Sequence, residues 1–332
     1  MDLNLLGDTI VFLPTLINVR KIWPDAQITY LTSAVGKEIT ENLNLANHIL
    51  VSSHQEIKSI LGFIRWWRRL CQENFDIAIT SCDTPSAEIM LLFLSGIPLR
   101  AGFTNARLSR FYNKRVAYTL DCHQGELNLR ILRRLGQPAE FIRPELKISE
   151  SDKKYVDDLL AEKNVKSTDL LIAVHPGSAR LYQRWPLENF AALTNILINK
   201  YQVKIICLGN KPEQNLAAEL HKLIKNKTSF IDLSGRTTVK QAAYLLTRAK
   251  FLICNNSGLM HLAFLMGVPS ISLWGATSLT RWGPLWDKEK HSIIRADLDC
   301  VGCGEIKCPR GTLDCMKRIT VAMVVKAVEN LK

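Results

Sequence analysis

Asn256, Ser257 and Gly258 stand where a predicted strand ends and a predicted helix begins, and His261 follows one turn into that helix. Backbone N–H groups and the helix dipole at such a junction bind anions, most often a phosphate group. The alternative is that Asn256 and Ser257 only cap the helix and that His261 is a hydrogen-bonded histidine of the core. The pattern predicts either a phosphate site or a capped, buried helix.

A second junction of this kind follows the predicted strand Leu170–Val174. The sequence HPGSARLYQRWPLENF, residues 175–190, supplies a basic loop and then a helix. Ser178, Arg180 and Arg184 could hold a diphosphate, because arginine makes forked contacts with phosphate oxygens. A basic loop that simply lies in solvent is the alternative interpretation.

Two further turns carry residues that could take part in chemistry. In CLGNKPEQN, Gly209 leaves room for a ligand near the backbone, and Glu213 could bind a ribose hydroxyl. In LLGDTIVFLPTL, Asp8 stands at the start of a predicted helix, where the dipole stabilises a carboxylate. If it faces a substrate, the same carboxylate could act as a general base.

The cysteines near the end of the chain have a spacing that suits a metal ion. CVGCGEIKCPRGTLDC has the pattern C-x2-C-x4-C-x6-C, and four thiolates can surround a tetrahedral Zn²⁺. Free thiols and disulfides are the alternatives. The candidate ligands are Cys300, Cys303, Cys308 and Cys315. The remaining cysteines are interpreted as small buried hydrophobes: Cys71, Cys82, Cys122, Cys207 and Cys254.

A basic and aromatic segment, IKSILGFIRWWRRLCQ, occupies residues 57–72. Its aliphatic residues are predicted to share one helical face: Ile57, Ile60, Leu61 and Ile64. Aromatic residues beside arginines suit a lipid headgroup interface. A helix packed on the first sheet, with its basic side in water, is the alternative. The basic segment RAGFTNARLSRFYNKR, residues 100–115, could meet an anionic acceptor.

Length and composition limit these possibilities. The chain has 332 residues, 47% hydrophobic and 22% charged, which predicts a soluble protein of two domains. The start lacks the pattern of a secretory signal, and nine irregularly spaced cysteines favour a reducing compartment. The net charge is +12, of which residues 1–150 carry +2. Without an arginine-rich arm or a recognition-helix motif, this charge favours phosphorylated ligands or an anionic membrane over nucleic acid.

The elements that must position these residues follow an alternating pattern. From about residue 170, helical-period stretches separate five apolar runs: LLIAVHPGS, VKIICLGN, SFIDLSG, KFLICNNSG and VPSISLWG. Unbroken apolar strands of this kind predict a parallel sheet covered on both faces. The first half repeats the scheme less regularly. We therefore predict an α/β protein of two doubly wound domains, residues 1–150 and 151–332, facing a cleft at the carboxyl ends of their strands.

One apolar stretch, residues 255–276, is long enough to cross a bilayer. It contains no Lys, Arg, Asp or Glu. Gly267 and Pro269 interrupt it after about nine helical residues, and the residues that follow are β-rich. The stretch is therefore predicted to be a strand–helix–strand unit and not a membrane span.

Three stretches together resemble glycosyltransferase family 9, whose best-known members are ADP-heptose:lipopolysaccharide heptosyltransferases. They are GDTIVFLPTLINVRKIWPDAQITYLTS, HPGSARLYQRWPLENFAAL and CNNSGLMHLAFLMGVPSISLWGATSLTRWGP. The resemblance implies a GT-B architecture with the acceptor site on the first domain and the nucleotide-sugar site on the second. It also implies an inverting, metal-independent transfer that requires no catalytic cofactor, from ADP-heptose to an anionic glycolipid, on the cytoplasmic face of the inner membrane.

The resemblance also implies roles for individual residues. Asp8 matches the aspartate that is thought to deprotonate the acceptor hydroxyl. Independently of the resemblance, a leaving diphosphate needs its charge neutralised, and helix N-termini together with Arg184 could do this without a metal. The donor-binding positions implied, with the neighbouring loop residues, are Ser178, Ala179, Arg180, Gln183, Gly209, Glu213, Asn256, Ser257, Gly258 and His261.

Three departures from the family pattern bear on activity. Gln183 replaces a lysine, Asn256 replaces an aspartate, and only six residues precede Gly7 where the family has a first strand. Loss of that strand is predicted to leave its neighbours in the sheet unpaired. These departures keep open a non-catalytic relative that binds nucleotide or glycan, and a nucleotide-sugar epimerase of the same architecture is a further alternative.

Overall fold

The structure, a computed structural model, describes residues 1–331. The chain divides by its internal contacts into two compact units, Met1–Glu145 and Leu146–Lys332. The boundary predicted at residues 150/151 falls in the first turn of helix α7 (Glu150–Glu162). We call these parts unit 1 and unit 2.

Unit 1 alternates short parallel strands with helices. Its strands are β1 (Thr29–Thr32), β2 (His48–Val51), β3 (Ile77–Ile79), β4 (Leu99–Phe103) and β5 (Lys114–Val116). Its α-helices are α1 (Leu6–Ile22), α2 (Ala34–Thr40), α3 (His54–Lys58), α4 (Ile60–Gln72), α5 (Ser86–Leu94) and α6 (Gln124–Arg134). The strands form two separate parallel sheets, β1–β2 and β3–β4–β5.

The first residues of the chain join the two sheets of unit 1. Asp2 forms an isolated parallel bridge with Thr32, and its N–H donates to the Leu31 carbonyl at 3.0 Å. On the other side, the Ser81 N–H donates to the Met1 carbonyl at 2.9 Å. We call residues 1–4 the seam. The two sheets nevertheless remain separate, so the expected loss of strand pairing is partly present: residues 1 and 2 supply backbone partners only near Thr32 and Ser81.

The predicted helix of residues 57–72 is in fact two helices. Ser59 has an extended backbone (φ −73°, ψ 145°), so it ends α3 and caps α4. Ile57 is fully buried on α3, whereas Ile60 and Leu61 are exposed on α4. The expectation that these residues share one face was wrong, because the chain changes direction at Ser59.

Unit 2 contains one continuous parallel sheet of six strands in the order β11–β10–β9–β6–β7–β8. The strands are β6 (Leu171–His175), β7 (Lys204–Cys207), β8 (Phe230–Asp232), β9 (Leu252–Asn255), β10 (Ser270–Trp274) and β11 (His291–Arg295). The helices after α7 are α8 (Leu187–Tyr201), α9 (Gln214–Leu223), α10 (Val239–Arg248), α11 (Gly258–Met266), α12 (Leu279–Trp282), α13 (Asp314–Lys317) and α14 (Val321–Asn330). The central strands β6 and β9 are buried along their whole length, as predicted for strands covered on both faces.

The apolar stretch of residues 255–276 forms the end of β9, helix α11 and strand β10. Helix α11 ends at Gly267, which has the left-handed conformation (φ 68°) that favours glycine. Across residues 1–331, we find no helix with both the length and the apolar character needed to span a bilayer. The prediction of a strand–helix–strand unit is confirmed.

Candidate functional site

The loop after β6 brings together three of the predicted donor-binding residues and Arg184, which was predicted to neutralise the leaving diphosphate. Ser178 is buried, and its hydroxyl lies 3.1 Å from the Asn256 carbonyl and 3.2 Å from Gln183 Oε1. Arg184 donates from Nε and Nη2 to the Ser178 carbonyl at 3.1 and 2.8 Å. The loop is therefore held closed by side chains that also border the start of α11.

Gln183 uses both ends of its amide inside the protein. Its Nε2 donates to Thr277 Oγ1 at 2.6 Å, while Oε1 accepts from Ser178. The amide therefore joins the loop after β6 to the turn after β10. Arg180 is exposed, as is Ala179, and its guanidinium donates to the Tyr182 hydroxyl at 2.7 Å.

Asn255 was not predicted to be a site residue, but its side chain holds the same loop in place by hydrogen bonds. Its side chain is fully buried at the end of β9. Oδ1 accepts from the Trp185 N–H at 3.0 Å, and Nδ2 donates to the Pro176 carbonyl at 2.8 Å and lies 3.3 Å from the Gly177 carbonyl. The sequence did carry a sign of this role, because Asn255 is the first of two consecutive asparagines at the end of a predicted strand. The family motif drew attention only to the second, Asn256.

The start of helix α11 presents hydrogen-bond donors that have no partner. Ser257 occupies the N-cap position, but its hydroxyl makes no capping bond, contrary to the capping alternative. The Ser257 hydroxyl and Asn256 Nδ2 are both buried and lack a partner within residues 1–331. The first amide of this turn to bond within the helix is that of His261, which donates to the Ser257 carbonyl. Free amides and the helix dipole favour an anion here.

The ring of His261 lies among aromatic side chains. It is buried, edge-on to Phe264 with ring centroids 5.7 Å apart and to Trp282 at 5.9 Å. This packing matches the core histidine described as the alternative. The other predicted residue of the turn, Gly258, is the first residue of α11.

Glu213 and His175 converge beside the same loop. His175 donates from Nδ1 to the Leu208 carbonyl at 2.9 Å, and its Nε2 lies 3.8 Å from Glu213 Oε1. Burial lowers the pKa of His175, so the ring is neutral at pH 7. Glu213 Oε2 accepts from the Asn210 N–H at 2.9 Å.

Two glycines leave the space that Glu213 occupies. A Cβ on Gly177 would lie 2.0 Å from Glu213 Oε1, and one on Gly209 would lie 3.2 Å from Oε2. The first distance is shorter than any real contact, so the carboxylate holds its position only because residue 177 is glycine. The turn after β7 and the loop after β6 thus form one polar surface.

Asp8 lies in the first turn of α1 in unit 1. Burial, reinforced by the negative charges of Asp2 and Asp83, raises the pKa of Asp8 to about 7. The backbone N–H groups of Leu5 and of Asp8 itself oppose this rise without cancelling it. A carboxylate with this pKa can accept a proton near neutral pH, as a general base must.

Asp2 anchors the seam through its side chain as well as its backbone. The carboxylate is buried and accepts from Asn4 Nδ2 at 2.8 Å, from the Ser81 hydroxyl at 3.0 Å and from the Tyr30 hydroxyl at 3.3 Å. Three donors keep the charge stable at this depth. Its field in turn contributes to the raised pKa of Asp8.

A second polar pair borders the seam. His54 Nδ1 lies 2.7 Å from Glu88 Oε1, and His54 Nε2 lies 3.2 Å from Asn4 Oδ1. Glu88 is fully buried, and its Oε2 has no partner within the described chain. Sequence reasoning missed this cluster, because its members are far apart in the chain and follow no motif.

The predicted zinc ligands do not converge into a metal site. Within residues 1–331, no group of three or more His, Cys, Asp or Glu side chains is arranged to hold a metal ion. Cys315 is buried beside Gly275, whereas Cys303 is exposed. Backbone N–H groups, that of Leu313 first among them, lower the pKa of Cys308. All nine cysteines are free thiols, and Cys71, predicted to be buried, is exposed on α4.

One acidic pair has the Asp-x-Asp spacing found at many metal-bound diphosphates. Asp297 and Asp299 follow β11, the edge strand of the unit 2 sheet, and both are exposed. They belong to no metal-binding group among the residues described.

Comparison with known proteins places this architecture among glycosyltransferases. The family described as “Glycosyltransferase family 9 (heptosyltransferase)” matches residues 63–313. Among curated proteins, lipooligosaccharide heptosyltransferase 2 of Campylobacter jejuni is 23% identical over 335 residues, covering 98% of this chain and 95% of that protein.

Solved structures agree with this match at the level of the fold. A family 9 glycosyl transferase from Veillonella parvula superposes with a TM-score of 0.83 at 22% identity, covering 99% of this chain and 95% of that one. ADP-heptose lps heptosyltransferase II of Escherichia coli gives 0.78 at 19% identity, covering 99% and 97%. The predicted α/β class with GT-B architecture is confirmed.

Proposed function

This chain belongs to glycosyltransferase family 9, and from that premise we propose that it transfers a heptose from an ADP-activated donor to a lipopolysaccharide core or a related surface glycan. The protein is a glycosyltransferase. Relatives that match nearly its whole length or most of it are named lipooligosaccharide heptosyltransferase 2 and lipopolysaccharide core heptosyltransferase. These names support the choice of donor sugar and acceptor.

The start of α11 is the observation that carries the proposal. Buried donors without partners are costly, so the Ser257 hydroxyl, Asn256 Nδ2 and the first amides of α11 favour an acceptor-rich ligand. A diphosphate supplies such oxygens. Arg184 has N–H groups beyond the two that bind the Ser178 carbonyl, and it adds a positive charge beside the same loop. These groups would stabilise the charge that develops on departing ADP.

Glu213 is proposed to hold the ribose of the nucleotide. Its Oε1 has no hydrogen-bond donor in the described chain and faces the neutral, acceptor-bearing Nε2 of His175 at 3.8 Å. A hydroxyl group can donate to the carboxylate, and a second hydroxyl can donate to the imidazole. The pair therefore suits a vicinal diol such as that of ribose.

Asp8 is proposed to act as the base. The acceptor hydroxyl gives its proton to the Asp8 carboxylate as its oxygen attacks the anomeric carbon from the face opposite the diphosphate. The new glycosidic bond forms while the bond from the anomeric carbon to the phosphate oxygen breaks. ADP leaves with that electron pair, and the configuration at the anomeric carbon inverts.

Calorimetric titration with ADP, UDP and GDP, in EDTA and then with Mg²⁺, tests the donor site. We expect ADP to bind in EDTA and to be preferred. Ser257→Ala should weaken ADP binding about tenfold, because it removes a donor to a charged group. Thr194→Val is the matched control, since Thr194 also has a buried, unpartnered hydroxyl, on α8. Equal effects of the two substitutions would contradict the assignment of the site.

A turnover assay with ADP-heptose distinguishes the transferase from the two alternatives, an epimerase and a non-catalytic relative. We expect ADP release from ADP-heptose only when the glycolipid acceptor is present. Conversion of the donor without acceptor would indicate an epimerase, and tight ADP binding with no turnover of any nucleotide sugar would indicate a non-catalytic relative. The internal hydrogen bonds of Gln183 support activity, because they give this departure from the family lysine a role in closing the loop.

A structural zinc at Cys300, Cys303, Cys308 and Cys315 is proposed as an addition to this function, and it requires these side chains to move together when the metal binds. The C-x2-C-x4-C-x6-C spacing supports it. Elemental analysis of protein produced with added zinc should find one zinc per chain, lost in Cys300→Ser/Cys303→Ser. Metal-free protein with unchanged thermal stability would contradict it.

The site of action is proposed to be the cytoplasmic face of the inner membrane, where a glycolipid acceptor would be held. Cell fractionation tests this, with the protein expected in the membrane pellet at low salt and in the supernatant at high salt. A supernatant location at both salt concentrations would contradict it. Binding to nucleic acid is not part of the proposal.

A further inference from the structure

Helix α4 in unit 1 has one face in the core and a second face that is apolar and exposed. Trp66 and Leu70 are buried with residues of α5 and β1, and Phe63 packs against them. On the other side, Ile60 and Leu61 are 80% and 83% exposed. Ordinary surface helices place polar residues there, so two adjacent, almost fully exposed aliphatic side chains indicate a surface that meets something other than water.

The two aliphatic side chains are held at a rigid corner. The Ser59 hydroxyl accepts from the Gly62 N–H at 3.1 Å and donates to the Glu56 carbonyl at 2.7 Å. A Cβ on Gly62 would lie 2.0 Å from the Glu56 carbonyl oxygen, so only glycine permits this close turn. Ile60 and Leu61 therefore project from a fixed backbone and not from a loose loop.

The apolar face continues along α4 and onto the end of α5. Ile64 and Trp67 follow on α4 and are each 38% exposed. Trp67 Nε1 donates to the Leu94 carbonyl at 2.9 Å, which joins the face to the exposed Phe93 and Leu94. We call this the α4 surface, defined by Ile60, Leu61, Ile64, Trp67, Phe93 and Leu94.

Positive charge accompanies the α4 surface. Residues 57–72 contain four Lys and Arg and no Asp or Glu. Arg65 pairs with Glu56, and Arg69 lies 3.7 Å from Glu73, whereas Arg68 has no acidic partner within residues 1–331. At the α5 end, the guanidinium of Arg100 lies 5.3 Å from the centre of the Phe93 ring. Exposed apolar side chains are thus accompanied by guanidinium groups.

We propose that the α4 surface docks unit 1 on an anionic phospholipid bilayer, with Ile60 and Leu61 inserted below the phosphate level. The arginines contact lipid phosphates, and Trp67 lies at the headgroup depth that tryptophan favours. The combination of positive charge and exposed apolar side chains favours an anionic bilayer, which offers both phosphate groups and an apolar interior. A second copy of the chain would bring the same arginines face to face, which opposes self-association.

This inference rests on the proposed function, because a glycolipid acceptor is held in a bilayer. Docking would keep the enzyme at the surface where its acceptor is concentrated. ADP binding needs no membrane, so the two proposals can fail independently.

Vesicle flotation of the full chain provides the test. Vesicles of phosphatidylcholine alone are compared with vesicles containing 30 mol% phosphatidylglycerol, at low salt and at 0.5 M salt. We expect wild-type protein to float only with the anionic vesicles and to be largely released by salt. Ile60→Asp/Leu61→Asp should lower vesicle affinity at least about thirtyfold. Arg68→Glu should lower it by about tenfold or more.

Leu120→Asp is the matched control, because Leu120 is a 63% exposed leucine of unit 1 outside the α4 surface. It should float like wild type. All three variants should bind ADP as wild type does, which shows that they are folded and separates this test from that of the donor site. Unchanged flotation of the double aspartate variant would overturn the proposal. Loss of a concentration-dependent dimer in that variant, without vesicle binding by wild type, would assign the surface to a second copy instead.

Discussion

The two units share one α/β plan but complete their sheets by different means. Unit 2 has six strands in one continuous parallel sheet, with the central pair buried along its whole length. Unit 1 has a two-stranded and a three-stranded sheet, joined by the seam. Where unit 2 uses backbone hydrogen bonds, unit 1 adds the side chains of Asp2, Asn4 and Ser81, which bond to one another.

This difference fits the chemistry proposed for each unit. In unit 2, a regular sheet brings the polar groups of the candidate site together at the carboxyl ends of its strands, which suits fixed binding of a diphosphate. In unit 1, the buried charge of Asp2 contributes to raising the pKa of Asp8 to about 7. The less regular sheet thus creates the electrostatic environment that a base requires, while the regular sheet supplies a rigid binding surface.

The largest expected effect separates chemistry from binding. Asp8→Asn should lower turnover about 10³- to 10⁴-fold, because the neutral amide cannot accept the acceptor proton. ADP affinity should stay within about twofold, since the residues proposed to bind the donor lie in unit 2. Steady-state kinetics and calorimetry on the same preparation measure both. If turnover and ADP binding were lost together, the assignment of the base to unit 1 and of donor binding to unit 2 would be contradicted.

The second effect addresses the rigid surface of unit 2. Asn255→Ala removes the amide that serves the Trp185 N–H and the Pro176 carbonyl, and leaves these buried groups unpaired. Unfolding free energy should fall by roughly 3–5 kcal/mol, and ADP binding should be lost with the order of the loop. Urea denaturation and calorimetry check this, with Asn256→Ala as a neighbour expected to retain stability within about 1 kcal/mol. Equal destabilisation by the two changes would contradict a special role for Asn255.

A third effect concerns the stability of unit 1 and its pH dependence. The folded pKa of Asp8 is raised from 3.8 to about 7, so the folded state binds its proton more tightly than the unfolded state does. Stability from this group is present at low pH and is lost as pH rises towards about 7. Asp8→Asn should therefore be more stable than wild type by roughly 2–4 kcal/mol at pH 8. The advantage should be nearly absent at pH 4. Thermal melts at both pH values test this, and a constant difference would contradict it.

The smallest expected effect concerns the close packing of the Glu213 carboxylate against Gly177 in unit 2. Gly177→Ala places a Cβ where Glu213 Oε1 now lies, so the carboxylate must move. The same Cβ would lie 2.8 Å from Cε1 of the buried His175 ring, so the free energy of unfolding should fall by roughly 1–3 kcal/mol, and ADP affinity should fall about tenfold. A binding series with AMP and 2′-deoxy-ADP locates the loss at the ribose. Equal loss for the deoxy nucleotide would place the contact elsewhere.

Sequence and structure agree most closely in unit 2. The runs LLIAVHPGS, VKIICLGN, SFIDLSG, KFLICNNSG and VPSISLWG correspond to β6 to β10. Each is a short, unbroken apolar stretch bounded by turn residues, a pattern that strongly favours a buried strand. The predicted helix from Gly7 also exists as α1 despite Pro14, because its residues from Ile10 to Leu16 are buried and mostly apolar.

The features that escaped prediction depend on contacts between distant residues. The seam is held by backbone groups of Met1 and Asp2, which have no signature in side-chain periodicity. The break at Ser59 reflects a capping bond and a close approach at Gly62 that a continuous helical period conceals. Asn255 gains its role from a loop nearly 80 positions earlier in the chain. Contacts between residues so far apart in the chain become visible only in the three-dimensional structure.

The order of strands in unit 2 has a consequence for protein synthesis. Strand β6 lies in the middle of the sheet, yet one of its two neighbours, β9, emerges from the ribosome long after the other, β7. Until β9 is made, the nascent β6–β7–β8 layer has an open apolar edge that chaperones must shield. The same late segment carries Asn255 and the start of α11. The proposed nucleotide-binding surface is therefore incomplete until Gly258 has been synthesised, so fragments released earlier cannot compete for the donor.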